Sequence, residues 1–318
     1  MHRASTVLAY LTCCVLWGST WMAIKIGLED LPPLRFAAVR MFAAFVLLTP
    51  FALHKGLHAV RGGAWRTLVL VGALNLGISF ALLFVGQIYV SSGLAAVFFA
   101  TYPVWMVVLG RLMLPDQKLT LPRLVAGPLG LTGIAVIQLP NLQGASMDRG
   151  IALGGGLVVL AAILMAFAGV LMRKRLDGVP PVVSAWAQTG MGALVIGALA
   201  LLLEHGQPAA WTPRAVSALG YLVVFGTVAT YLIFYWLMFR ISLAATGAIP
   251  LLDTLVAVIL GAVFLAEPLG WRTLIAAALI LGAAALANLS PAPATQAPAE
   301  PEPPEVPERE PQPGPAAP

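Results

Sequence analysis

Ten apolar runs, each about as long as a bilayer is thick, constrain this chain more than any other feature. A hydrocarbon core of ~30 Å takes roughly 20 apolar residues as a helix. Runs of that length fall near 7–28, 33–53, 67–88, 92–114, 122–140, 151–172, 181–203, 215–238, 243–265 and 271–289, each bounded by charge, Pro or Gly. Inside lipid every backbone N–H and C=O must find a partner within its own segment, so segments this long read as helices and not strands. The connections after the third and eighth runs are only a few residues long. Composition bears on one further point. Of 318 residues 10% carry charge and 60% are hydrophobic, whereas a water-facing surface takes roughly 25% charged residues. The outer surface of this all-α chain must therefore face a lipid bilayer.

The net charge of +5 does not indicate nucleic acid, because the basic residues sit in short loops between apolar runs. Those loops instead give an orientation. With the N-terminus in the cytoplasm, one side collects eleven cations: Arg3, Lys55, Arg61, Arg66, Arg111, Lys118, Arg123, Arg173, Lys174, Arg175 and Arg240. The other side holds only Arg149, Arg214 and Arg272, so both termini are expected to be cytoplasmic. The first run lacks a small-x-small cleavage site before Lys25 and is followed at once by further runs, which reads as a retained helix and not a secretory leader. Cys13 and Cys14 are neighbours on one helix, point in different directions and read as packing residues. Residues 291–318 are dominated by Pro, Ala and Glu and are expected to form a disordered cytoplasmic tail.

The chain repeats itself. Residues 17–40 (WGSTWMAIKIGLEDLPPLRFAAVR) and 165–188 (MAFAGVLMRKRLDGVPPVVSAWAQ) share an apolar helix, a basic residue (Lys25, Arg173), an acidic turn (Asp30, Asp177) and a Pro-Pro that opens the next helix. Proline suits that position, since the first helical turn does not use the missing N–H. Further on, Gly110–Asp116 corresponds to Gly261–Glu267 at the end of the fourth run of each half. The expected organisation is a first five-helix repeat over 1–144, a second over 145–290, and the tail. Five is an odd number, so the second repeat enters the membrane inverted, which is a recurrent plan among secondary transporters with a site near midplane between the repeats.

The 17–40 segment, the segment LLDTLVAVILGAVFLAEPLGW at 251–271 and the five-plus-five plan resemble the EamA-type transporters of the drug/metabolite transporter superfamily, over about residues 7–289. The resemblance implies a bacterial inner-membrane exporter of amino acids, related metabolites or toxic compounds, coupled to protons. Similar sequences carry Leu-Glu-Pro-Val in the ninth helix. Here Leu252-Asp253-Thr254-Leu255 keeps the acid as Asp and lacks the proline, with Pro250 close by.

Asp253 is the first candidate for the chemistry. It is the eleventh residue of the 243–265 run, close to midplane, where a lone carboxylate costs at least ~2.5–3.5 kcal/mol to insert. It reads as a proton site or a clamp for a substrate amine, or else as a protonated Asp bonded to a neighbouring helix. Lys25 and Arg40 are candidates to attract a substrate carboxylate or to gate; alternatively Lys25 snorkels to the interface, or either cation pairs with Glu29 or Asp30. Arg35 reads as an interfacial anchor. The candidate lining comprises Trp17 and Trp21 on the first helix, Asn75, Ser79 and Phe84 on the third (with Phe80 nearby), Thr101 and Tyr102 on the fourth, and Tyr231 and Tyr235 on the eighth. Aligning Gly110 with Gly261 sets Tyr102 opposite Asp253 and Phe84 opposite Tyr235. The bland reading of each aromatic is core or lipid contact. Gly127, Gly130, Gly133 and Gly282 read as close helix packing, and Asp116 and Glu267 as loop caps.

Other classes fit less well. The four histidines (His2, His54, His58, His205) lie in terminal or loop segments without metal spacing, and no nucleotide-binding motif appears. No cofactor or metal is expected, and neither an enzyme nor an ATP-driven pump. A channel should show rings of repeated polar residues; a single asymmetric acid fits coupled transport better, with an uncoupled facilitator or channel as the alternative. A small-molecule substrate and the lipid bilayer are the expected partners, and a monomer suffices.

Overall fold

In the computed structural model the segment boundaries fall where proline and extended backbone interrupt helical hydrogen bonding. The structure describes residues 2–55, 57, 60, 62–90, 95, 98–99, 101–114, 121–143, 149–253, 255–256, 271, 275, 278–279, 281–283 and 286. The helices are α1 (His2–Leu28), α2 (Pro33–Lys55), α3 (Ala64–Tyr89), α4 (Tyr102–Met113), α5 (Leu121–Gln143), α6 (Arg149–Arg175), α7 (Pro181–Leu203), α8 (Pro213–Met238) and α9 (Leu243–Gly247). Both expected Pro-Pro signals act as read: α2 opens at Pro33 and α7 at Pro181. Pro180, held extended at φ −56°, ψ 135°, is what a residue before proline should be. Val90, at φ −128°, ψ 152°, ends α3 and divides the third run from the fourth.

Among the described residues six helices are long and apolar enough to cross a membrane: α1, α2, α3, α6, α7 and α8. The fourth expected run contributes the shorter α4, and the fifth contributes α5. The ninth contributes α9 and a helical stretch at 249–253, and residues 271, 275, 278–279, 281–283 and 286 are helical in the tenth. The rest of those runs, Asp116, Glu267 and the 291–318 tail lie outside the described residues. The surface is apolar, as lipid requires: Leu8, Phe42, Leu112 and Leu194 are exposed, and Leu202 is 77% exposed.

Two helices change winding midway. Residues Ala73–Ile78 of α3 and Val224–Ala229 of α8 are π-helical. Such a turn frees carbonyls that an α-helix would use and is frequent at functional sites. Hydroxyls take up the slack. Ser79 Oγ donates to the Leu74 carbonyl at 2.6 Å, and Thr230 Oγ1 donates to the Phe225 carbonyl, in each case five residues back. Both bulges and both bonds are offset by 151 residues, the offset that aligns Gly110 with Gly261.

The most extensive packing joins distant parts of the chain. α2 lies along α7, α3 packs on α6 and α7, α4 on α6 and α9, and α1 on α8. At one end Glu204, buried just past α7, turns its carboxylate onto the start of α2, accepting from the backbone N–H of Leu34 and Arg35 at 2.7 Å each. Those two donors lack intrahelical partners, and the helix dipole favours a negative charge there. Arg35 returns the contact by donating to the carbonyls of Glu204 (2.8 Å) and Gln207 (3.1 Å). It therefore ties two loops together, where a simple interfacial anchor was expected. Asp30 accepts from Thr212 Oγ1 at 2.6 Å and Glu29 pairs with Arg214 at 2.7 Å, which removes both acids as partners for Arg40. At the far end of α8, Arg173 donates to the carbonyls of Met238 and Ile241, bracing the break before α9.

Candidate functional site

The α3 bulge, α1, α2, α4, α8 and the 249–253 stretch line a cavity of about 90 Å³. From α1 the wall receives Trp17, Thr20, Trp21 and Ile24, the i, i+3, i+4, i+7 set of one helix face. α2 contributes Arg40, α3 Asn75, Phe80 and Leu83, and α8 Tyr231 and Phe234. Phe99, Tyr102, Met165, Pro250 and Asp253 complete the wall.

Aromatic contacts fix one side of it. Trp17 meets Tyr231 edge-on (centroids 5.5 Å apart) and Phe234 at 4.9 Å, while Phe99 stacks on Tyr102 at 5.7 Å. α1 approaches Asp253 closely only because residue 18 is glycine: a Cβ there would lie 2.5 Å from the Asp253 carbonyl oxygen and 2.7 Å from Val256 Cβ. Tyr10 Oη donates to the Ala245 carbonyl at 3.1 Å and holds the lower part of the same contact.

Arg40 is 2% exposed. Its Nε donates to Thr227 Oγ1 at 2.8 Å and its Nη2 to the Gly226 carbonyl at 3.0 Å, so the α8 bulge supplies both acceptors. The guanidinium lies over the Phe80 ring, 5.6 Å from its centroid. Nη1 has no hydrogen-bond partner among the described residues. On α7 the corresponding position is Gln188, fully buried, whose Oε1 accepts from Asn75 Nδ2 of the α3 bulge (2.9 Å) and from Tyr235 Oη (2.8 Å).

Of the residues expected from sequence, Trp17, Trp21, Arg40, Asn75, Tyr102, Tyr231 and Asp253 line this one cavity. Tyr102 and Asp253, set opposite each other when Gly110 is aligned with Gly261, both line it. Ser79, Phe84, Thr101 and Tyr235 stand off its lining. Ser79 closes the bulge, Phe84 packs between Phe36 and Phe80, Thr101 bonds back to the Phe98 carbonyl at 2.9 Å, and Tyr235 braces Gln188. Phe84 and Tyr235 make no ring contact with each other among the described residues. The Lys25 side chain lies outside the described residues. Sequence reading missed Thr20 and Ile24, which the spacing from Trp17 would have supplied. It also missed Gln188, Thr227 and Glu204, whose contacts with Asn75, with Arg40 and with the start of α2 span 113–187 residues and leave no local signal. Cys13 and Cys14 are buried free thiols, as read, and no group of three metal-ligating side chains occurs among the described residues.

Comparison with known proteins places this geometry in a family. The profile described as "EamA-like transporter family" matches residues 4–139 and again 152–289. The uncharacterized transporter YvbV of Bacillus subtilis (strain 168) is 26% identical over 287 residues, covering 90% of this chain and 92% of its own. The uncharacterized inner membrane transporter YedA of Escherichia coli (strain K12) is 30% identical over 250 residues, 78% of each chain. A crystal structure of a protein with 20% sequence identity superposes with a TM-score of 0.76, covering 90% of this chain and 97% of that one; at that identity the likeness is one of fold.

Proposed function

The chain belongs to the EamA-like transporter family, a family of multi-pass membrane proteins, and from that premise we propose that it is a secondary transporter that exports a small metabolite, an amino acid or a related amphipathic compound, by alternating access coupled to protons. One observation carries the reading: Asp253 lies on the wall of a cavity whose other walls come from helices of both halves of the chain. A carboxyl there has solvent-sized space beside it and aromatic surface around it, which suits a site that exchanges a proton for a substrate.

The ten-helix inverted repeat is part of the proposal, with repeats at 1–144 and 145–290. It is supported by the paired bulges, and by the way helix contacts map onto one another when each number is shifted by five: α3 on α6 corresponds to α8 on α1, and α3 on α7 to α8 on α2. Exchange of conformations between such halves opens one site to either side in turn. The loop cations support cytoplasmic termini, and the inner-membrane relative supports a bacterial inner membrane.

The test is purified protein in liposomes loaded with a pH-sensitive dye, with metabolites added one at a time. Substrate-dependent proton movement is expected in the wild type and absent in Asp253→Asn. Substrate movement without protons, with the variant equal to wild type, would replace the reading with that of an uncoupled facilitator.

A further inference from the structure

We propose that the cavity takes an organic carboxylate, and that Arg40 reads its charge through the outer edge of the guanidinium. This rests on the cavity being the transport site and adds the chemical class that it recognises.

A guanidinium has five N–H donors in a fixed fork. In Arg40 the edge formed by Nε and Nη2 is occupied by the α8 bulge, through Thr227 Oγ1 and the Gly226 carbonyl. Both acceptors are neutral. The other edge carries Nη1, which is buried and has no acceptor among the described residues, in a residue that lines the cavity. No carboxylate pairs with Arg40 among them either; the ion pair found there is Glu29–Arg214. A charge buried to 2% exposure with only neutral partners is costly unless something arrives to offset it. An edge-on pair of N–H groups matches a carboxylate in both charge and geometry.

The internal counterpart sharpens the contrast. Gln188, 148 residues on, occupies the same place on α7 and meets the α3 bulge, but spends its oxygen on Asn75 and Tyr235 and turns its amide nitrogen to the Met172 sulfur at 3.7 Å. Its needs are met by protein. One half therefore carries a neutral arm whose needs are met, and the other a charged arm beside the cavity with a buried donor left over. Phe80 beneath the guanidinium and Trp17 and Tyr231 on the wall leave an apolar berth for the rest of the molecule.

The experiment uses the full-length purified protein and three carboxylates of increasing size: acetate, 3-methylbutanoate and phenylacetate. Each is compared with its amide and its amine by thermal stabilisation and by tryptophan fluorescence, since Trp17 and Trp21 line the cavity. At least one carboxylate should bind about tenfold or more tightly than its amide, as a charge-assisted pair should. Arg40→Gln should abolish that preference while leaving amide binding in place, and Arg40→Lys should retain part of it. Equal binding of acids and amides by the wild type, or an acid preference that survives in Arg40→Gln, overturns the assignment and leaves the cavity as a transport site. The wild-type comparison decides even if Arg40→Gln does not fold. Absence of binding by every solute, together with an Asp253→Asn variant indistinguishable from wild type in the liposome assay, removes the transport-site reading as well.

Discussion

Replacing Gly18 with alanine tests the contact on which the position of Asp253 depends. The added Cβ would sit 2.5 Å from the Asp253 carbonyl oxygen, 2.7 Å from Val256 Cβ and 2.8 Å from Val256 Cγ1. Two of those neighbours are backbone or the root of a β-branched side chain, so no rotamer change relieves the overlap; α1 itself has to retreat. Overpacking of this kind costs about 1–3 kcal/mol, while alanine in a helix recovers up to ~1 kcal/mol over glycine. The net expectation is a loss of about 1–2 kcal/mol, a factor of roughly 5–30 in the folded-to-unfolded ratio. The chain supplies its own reporter. Its two cysteines, Cys13 and Cys14, are free and buried on the same helix, so a thiol-reactive dye registers both melting and any prior displacement of α1. Gly220→Ala is the control, because a Cβ at that glycine meets nothing within 4 Å. Gly18→Ala should melt below wild type, with Gly220→Ala at or above it, and should weaken proton coupling. If Gly18→Ala is as stable as the control, α1 does not hold Asp253 in the way described.

Glu204→Gln removes the charge that caps the start of α2 and leaves one of two backbone donors facing an amide nitrogen, so it should lower stability by about 1 kcal/mol in the same dye assay. Arg214→Ala should shift stability by no more than about 0.5 kcal/mol, because its pair with Glu29 is 60% and 49% exposed; a larger loss would mean that this loop contact carries weight the exposed geometry does not suggest. Together they separate the buried tie between the loops from the exposed one.

Helix ends were legible because their signals are local. Pro33 and Pro181 start helices whatever they pack against, and the run lengths follow from the thickness of lipid. Helix faces were legible in part: the spacing of Trp17 and Trp21 does mark the cavity face of α1. Between neighbours on α3, spacing was a poor guide, because the π-helical turn at 73–78 shifts the face after it relative to an even 3.6-residue winding. Asn75 and Phe80 reach the cavity, whereas Ser79, read as sharing Asn75's face, stands behind it, as does Phe84.

The low identity between the two halves has a physical source in the same place. Shifted by 151 residues, Asn75 of one bulge corresponds to Gly226 of the other, and shifted by 148, Arg40 corresponds to Gln188. Each arm meets the bulge of the opposite half. Where the arm is the long Arg40, the bulge offers a bare glycine carbonyl; where it is the shorter Gln188, the bulge supplies the length itself through the Asn75 side chain. A Cβ at Gly226 would already lie 3.2 Å from Arg40 Nη2 and 2.8 Å from Thr20 Cγ2, so a side chain there would press on Thr20 and shift the guanidinium. The two contacts conserve a distance by exchanging which partner spans it. A comparison of letters, position by position, scores that compensation as two mismatches, although it is one structural rule applied twice.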